Sequence, residues 1–71
     1  MAESVYKVIE LVGTSPKSWE DAAKTALETA SKSLKDLRVA EITKLDLKIE
    51  KGMVVSYRAR VSLSFKYQKG D

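Results

Sequence analysis

Cysteine and histidine are both absent from this 71-residue chain. Without cysteine there are no disulfides and no thiolate zinc sites. Without histidine the commonest metal ligand and general base is gone, and nucleophile–base pairs of the familiar kinds cannot form. The three glycines, Gly13, Gly52 and Gly70, stand far apart, so no glycine-rich loop can cradle a phosphate. No apolar run approaches the roughly 20 residues that cross a membrane. The first residues, MAESVYK, lack the apolar core of a secretory signal. Charge is mixed: 13 basic against 10 acidic residues give +3, with the signs interspersed. A dense basic patch of the nucleic-acid type is missing, and a cytoplasmic protein is expected. These absences argue against an enzyme, because catalysis needs positioned titratable groups.

What remains is one small domain, residues 1–71. A single core of this size rarely supplies more than a few kcal/mol, so small folds add disulfides, a metal or further chains. With the first excluded, association with copies of itself is expected.

The patterning gives a β-α-β-β order. Residues 4–12 read as a strand, with Tyr6, Val8 and Val12 on one face and Val5, Ile9 and Leu11 on the other. Both faces carry apolar groups, as in a strand covered on two sides. Gly13-Thr14-Ser15-Pro16 should break this strand, with Gly13 free to take positive φ. Ser18 is the expected helix N-cap with Asp21 three residues on, and Ser15 before Pro16 is the competing cap. The helix should run to about Lys35 on a stripe of Trp19, Ala22, Ala23, Ala26, Leu27, Ala30 and Leu34. Lys32, Lys35 and Arg38 would then complement its C-terminal end. Residues 39–50 alternate as a second strand, with Val39, Glu41, Thr43, Leu45, Leu47 and Ile49 on one face. Lys51-Gly52 closes a tight hairpin. Residues 53–67 alternate without a break: Val55, Tyr57, Ala59, Val61, Leu63, Phe65 and Tyr67 against Ser56, Arg58, Arg60, Ser62, Ser64 and Lys66. This strip suits a central strand beneath the helix. The expected fold class is α+β: a βαββ unit with a three-stranded antiparallel sheet, order 1-3-2, wrapped around one helix. Leu63 and Phe65 should pack beneath Ala26, Leu27 and Ala30.

The residues with chemistry to offer lie on the last two strands. Glu41 and Thr43 on one strand and Arg58 and Arg60 on the next can pair across strands, either as a solvated face or as the polar lining of a pocket between subunits. The Arg58/Arg60/Lys66 row lacks the interleaved aromatics of a nucleic-acid surface. Trp19 offers a flat ring, but its place in the first helical turn favours packing.

VYKVIELVGTS at 5–15, the alanine-rich helix, DLRVAEI at 36–42 and the terminal SFKY together resemble the dodecin family. That resemblance implies a hollow homo-dodecamer of βαββ protomers that binds small ligands, FMN or riboflavin among them. Flavin-binding dodecins carry Trp-Phe-Glu after the helix; Val39, Ala40 and Glu41 stand there in this chain, and Arg58 stands where a flavin-bonding Gln is found. TSPKSWE at 14–20 and Arg38-Val39-Ala40 resemble a branch of the family that lacks the stacking Trp, for which calcium has been suggested as ligand. The resemblance thus implies ligand-binding positions Val39, Glu41 and Arg58, and Glu41 and Asp46 as oxygen donors to a cation. A structural or partner-binding oligomer without a small ligand is the alternative.

Overall fold

A computed structural model describes residues 4–66. Four elements follow in order: β1 (Tyr6–Ser15), α1 (Trp19–Ser31), β2 (Leu37–Glu50) and β3 (Met53–Lys66). The sheet has order β1-β3-β2, and both pairings are antiparallel. This is the expected βαββ architecture. Tyr67 lies outside the described residues.

Three differences from the sequence reading bear most on the site. First, Gly13 does not end β1; it pairs with Ala59, and the strand continues to Ser15. The reason lies across the sheet, where a Cβ on residue 13 would overlap the Ala22 carbonyl oxygen and sit 2.9 Å from the Ala26 Cβ. The glycine serves a close strand–helix approach, not a positive φ. Second, α1 stops at Ser31, with no basic residue in its last turn. The Ala30 carbonyl accepts from both Ser33 N–H (3.1 Å) and Leu34 N–H (2.9 Å), which closes the helix early. Serines at 31 and 33 favour such an ending. Asp36, at φ 61°, then turns the chain into β2. Third, β2 carries a bulge at Thr43, which adds one residue between Ile42 and Lys44. One extra residue exchanges the faces of a strand. Val39 and Glu41 therefore lie on the opposite face from Leu45 and Leu47.

Ser18 is the N-cap, its Oγ accepting from Asp21 N–H at 3.0 Å. The Asp21 carboxylate does not complete a reciprocal box. It accepts instead from the buried Ser15 hydroxyl at 2.7 Å, while Ser15 Oγ accepts from Lys17 N–H at 2.9 Å. The two candidate caps thus share the work of fixing the turn between β1 and α1. At the other end, Lys51 (φ 53°) and Gly52 (φ 75°) form a two-residue turn with positive φ at both positions, the type that matches strand twist.

The core is Ala22, Ala26 and Ala30 of α1 against Ala59, Val61 and Leu63 of β3, with Ile9, Leu11, Ala23, Leu34 and Leu37 around it. Leu63 is fully buried, as expected. Phe65 is half-buried and outside that cluster, and Leu27 is exposed. The helix lies over β1 and β3 and barely touches β2. The β2–β3 hairpin therefore runs on past it, and the protomer measures 55 × 20 × 16 Å.

Candidate ligand-binding face

The register sorts the sheet into two faces. The helix-side face carries Gly13, Leu11 and Ile9 of β1, Ala59, Val61 and Leu63 of β3, and their β2 partners Leu45, Ile42 and Ala40, the first two of these partners beyond the reach of α1. The face away from the helix is built in rows across the three strands. Thr14, Arg58 and Asp46 form one row; Val12, Arg60 and Lys44 the next; then Glu10, Ser62 and Glu41; then Val8, Ser64 and Val39. All four site positions singled out in the sequence, Val39, Glu41, Asp46 and Arg58, fall on this one face.

Asp46 and Arg58 are brought into contact. Arg58 Nε donates to Asp46 Oδ1 at 2.7 Å and its Nη2 to Oδ2 at 3.2 Å, a bidentate pair on a half-exposed surface. The hydrogen bond from Arg58 holds the Asp46 carboxyl below its ordinary value of 3.8, and the Arg60 charge adds to this. The same contact raises the Arg58 guanidinium. A depressed carboxyl pKa contributes stability above the unfolded value that is lost as pH falls through the folded one. The pair therefore stays ionised at neutral pH and is lost only in acid, as pH falls through a carboxyl pKa held below its ordinary value. Its backbone is held too: the Trp19 indole N–H donates to the Asp46 carbonyl at 3.0 Å. Trp19 also meets Tyr57 edge-to-face, with centroids 5.3 Å apart. Its ring is thus engaged in packing the start of α1 onto β3, as its position in the first turn suggested.

Glu41 is not brought to Asp46. They stand two rows apart on the same face, about 14 Å along the strand at the usual rise. Among the described residues no group of three Asp or Glu side chains could hold a metal ion. Arg60 reaches Glu10 at 3.6 Å, so both arginines of the face have acidic neighbours. Val39 is open to solvent.

One cleft opens beside this region. It has a volume of about 440 Å³ and lies between α1 (Leu27, Glu28, Ser31) and the start of β2 (Leu37 to Ala40). The sequence reading missed it, because it exists only where the helix ends early and leaves the first residues of β2 uncovered. Among the described residues no helix is long and apolar enough to cross a membrane.

The Dodecin family description matches residues 5–68. A calcium dodecin from Mycobacterium tuberculosis is 44% identical over 63 residues, covering 89% of each chain. A crystal structure of a calcium dodecin from the same organism, described as calcium-chelating with a novel calcium-binding site, is 42% identical. It matches with a TM-score of 0.82, over 96% of this chain and 97% of that one. A dodecin from Streptomyces coelicolor matches with a TM-score of 0.90 at 33% identity, over 99% of this chain and 100% of that one. Sequence and fold agree along nearly the full length, and the chain belongs to the dodecin family.

Proposed function

We propose that this dodecin-type small-ligand-binding protein works as a closed homo-dodecameric shell that binds flavin weakly and holds a cation with carboxylates of its sheet. The observation that carries the assembly is apolar surface on both sides of the sheet. Leu45 and Ile42 lie on the helix side but are about half exposed, because the helix does not reach them. On the other side Val8, Val12 and Val39 are similarly open. A chain with so small a core gains most by covering such surface with its own copies. Native mass spectrometry should return a species of about twelve times the 7.9 kDa chain mass. A stable monomer at micromolar concentration would defeat this reading.

The ligand preference follows from Val39 and Arg58. An isopropyl group cannot stack on a planar ring, and a stacking aromatic is worth roughly 1–3 kcal/mol by analogy with base stacking. Arg58 offers donors only, where a Gln amide both donates and accepts. Val39→Trp combined with Arg58→Gln should raise riboflavin affinity at least tenfold, read as quenching of flavin fluorescence. Val39→Trp alone should recover less. Nanomolar quenching by the unaltered protein would show that another group binds the ring.

For the cation, Glu41 and Asp46 are too far apart to share an ion within one protomer. The Asp46 oxygens are moreover committed to Arg58, so it is Glu41 that binds the ion, with oxygens contributed across a subunit boundary. Calcium titration of the assembled protein should be weakened by Glu41→Gln. A metal-free, colourless shell would instead favour a purely structural oligomer.

A further inference from the structure

Four charges occupy adjoining rows of the sheet's outer face. Asp46 stands opposite Arg58, and Lys44 opposite Arg60. Three are cations, and successive same-face positions are about 7 Å apart. Asp46 is the one acid among the four; Glu10 reaches only Arg60, and at 3.6 Å. The Asp46 carboxylate holds the Arg58 fork through two hydrogen bonds and is itself anchored through its carbonyl by Trp19. It also feels Arg60, whose charge lowers its pKa.

We infer that Asp46 is the charge-selectivity residue of this face: by occupying Arg58 it denies a phosphate-type anion the guanidinium fork, so the face takes the uncharged form of a planar ligand over its phosphorylated form. The argument is one of competition. A guanidinium binds carboxylate and phosphate with the same pair of parallel N–H donors. Of the two edges of Arg58 that suit that geometry, the Nε/Nη2 edge is already filled by a carboxylate held in place from both ends, and an anion at the other edge would lie close to that negative charge. A phosphate arriving at Lys44 and Arg60 would lie beside the Asp46 charge, and the guanidinium it met there would be the one already facing Glu10 at 3.6 Å. This inference rests on the proposal that small ligands use this face, but its test does not depend on flavin binding tightly.

The experiment compares Asp46→Asn and Asp46→Glu with the unaltered protein at low ionic strength, after native mass spectrometry has confirmed the same assembly. Riboflavin and FMN are titrated by fluorescence quenching. Inorganic pyrophosphate is followed separately by its effect on melting temperature, against chloride at matched ionic strength. In Asp46→Asn, FMN affinity should rise at least fivefold relative to riboflavin, and pyrophosphate should raise the melting temperature. Added salt should shrink both effects. Asp46→Glu keeps the carboxylate and should behave as the unaltered protein does. Adding Arg58→Ala to Asp46→Asn should abolish the gain. An unchanged FMN-to-riboflavin ratio with no pyrophosphate effect overturns the inference, and so does a gain that survives loss of Arg58. Should neither flavin bind any of these proteins, the pyrophosphate result decides the inference while the flavin reading alone falls. If Asp46→Asn fails to assemble, Asp46→Ser makes the same test. Failure of both to assemble also overturns the inference, because Asp46 would then hold the shell together and not tune its charge.

Discussion

Leu63→Ala should cost about 2–5 kcal/mol, toward the upper end of that range, and leave little assembled protein. Among the described residues Leu63 and Val61 are the largest fully buried side chains. Leu63 stands at the centre of the sheet, with Ile9 opposite on β1 and Ala40 opposite on β2. The helix contributes Ala22, Ala26 and Ala30 to its cluster, and these have no further side chain to move into a hole. A cavity there would stay open, and the cost of such a substitution grows with the volume that fails to collapse. A chain of this length has only about 4–11 kcal/mol of total stability at the usual value per residue, so the loss is a large share. Denaturant midpoints should be compared at one protomer concentration, because assembly makes stability concentration-dependent. Leu63→Met, which conserves volume, should cost less than about 1.5 kcal/mol. A Leu63→Ala protein with an unchanged midpoint would show that the core lies elsewhere. Phe65→Ala should cost the protomer less than Leu63→Ala, because Phe65 is only half-buried and outside the central cluster.

The strands and helix were legible because each repeats its own period over enough residues. Val61 and Leu63 alternate with Arg60, Ser62 and Ser64 without interruption, and the alanines of α1 recur at helical spacing. Ser18 was legible because a cap is a local matter of four residues. Face assignment on β2 failed at Thr43 because a bulge is invisible to simple alternation. A trace of it was present in Ala40 and Ile42, at even positions before Thr43, and Leu45 and Leu47, at odd positions after it, but Val39 obscures it. The Asp46–Arg58 pair was hidden for a related reason. Counting back from the Lys51-Gly52 turn sets Asp46 opposite Tyr57. A second irregularity, the extra Val55 on β3, moves it opposite Arg58, and the Thr43 bulge restores the original count farther along. The charged pair thus depends on the extra residue at Val55, which has no sequence signature strong enough to reveal it.

Gly13 shows the same limit in a different form, and it carries the second large effect. Gly13→Ala should destabilise by about 3 kcal/mol, the upper part of the range for overpacking. The new Cβ would overlap the Ala22 carbonyl oxygen and press on the Ala26 Cβ. The first of these is helix backbone and cannot rotate aside, so α1 must lift from the sheet at the point where it is packed most closely. The same lift would loosen the Ser15–Asp21 contact two residues along, at the start of the helix. Gly52→Ala provides the contrast. Gly52 has φ +75° and nothing within 4 Å of an added Cβ, so its cost is conformational, about 1–2 kcal/mol. Asn tolerates that left-handed region, so Gly52→Asn should recover most of the loss. No residue larger than glycine should do so at position 13, because there the obstacle is occupied space. Urea unfolding of the four proteins, Gly13→Ala, Gly13→Asn, Gly52→Ala and Gly52→Asn, separates the two causes through their midpoints at unchanged slope. Recovery by Asn at position 13 would mean that Gly13 is needed for its backbone freedom after all. An unaffected Gly13→Ala midpoint would mean that the helix does not approach β1 as closely as its alanines allow.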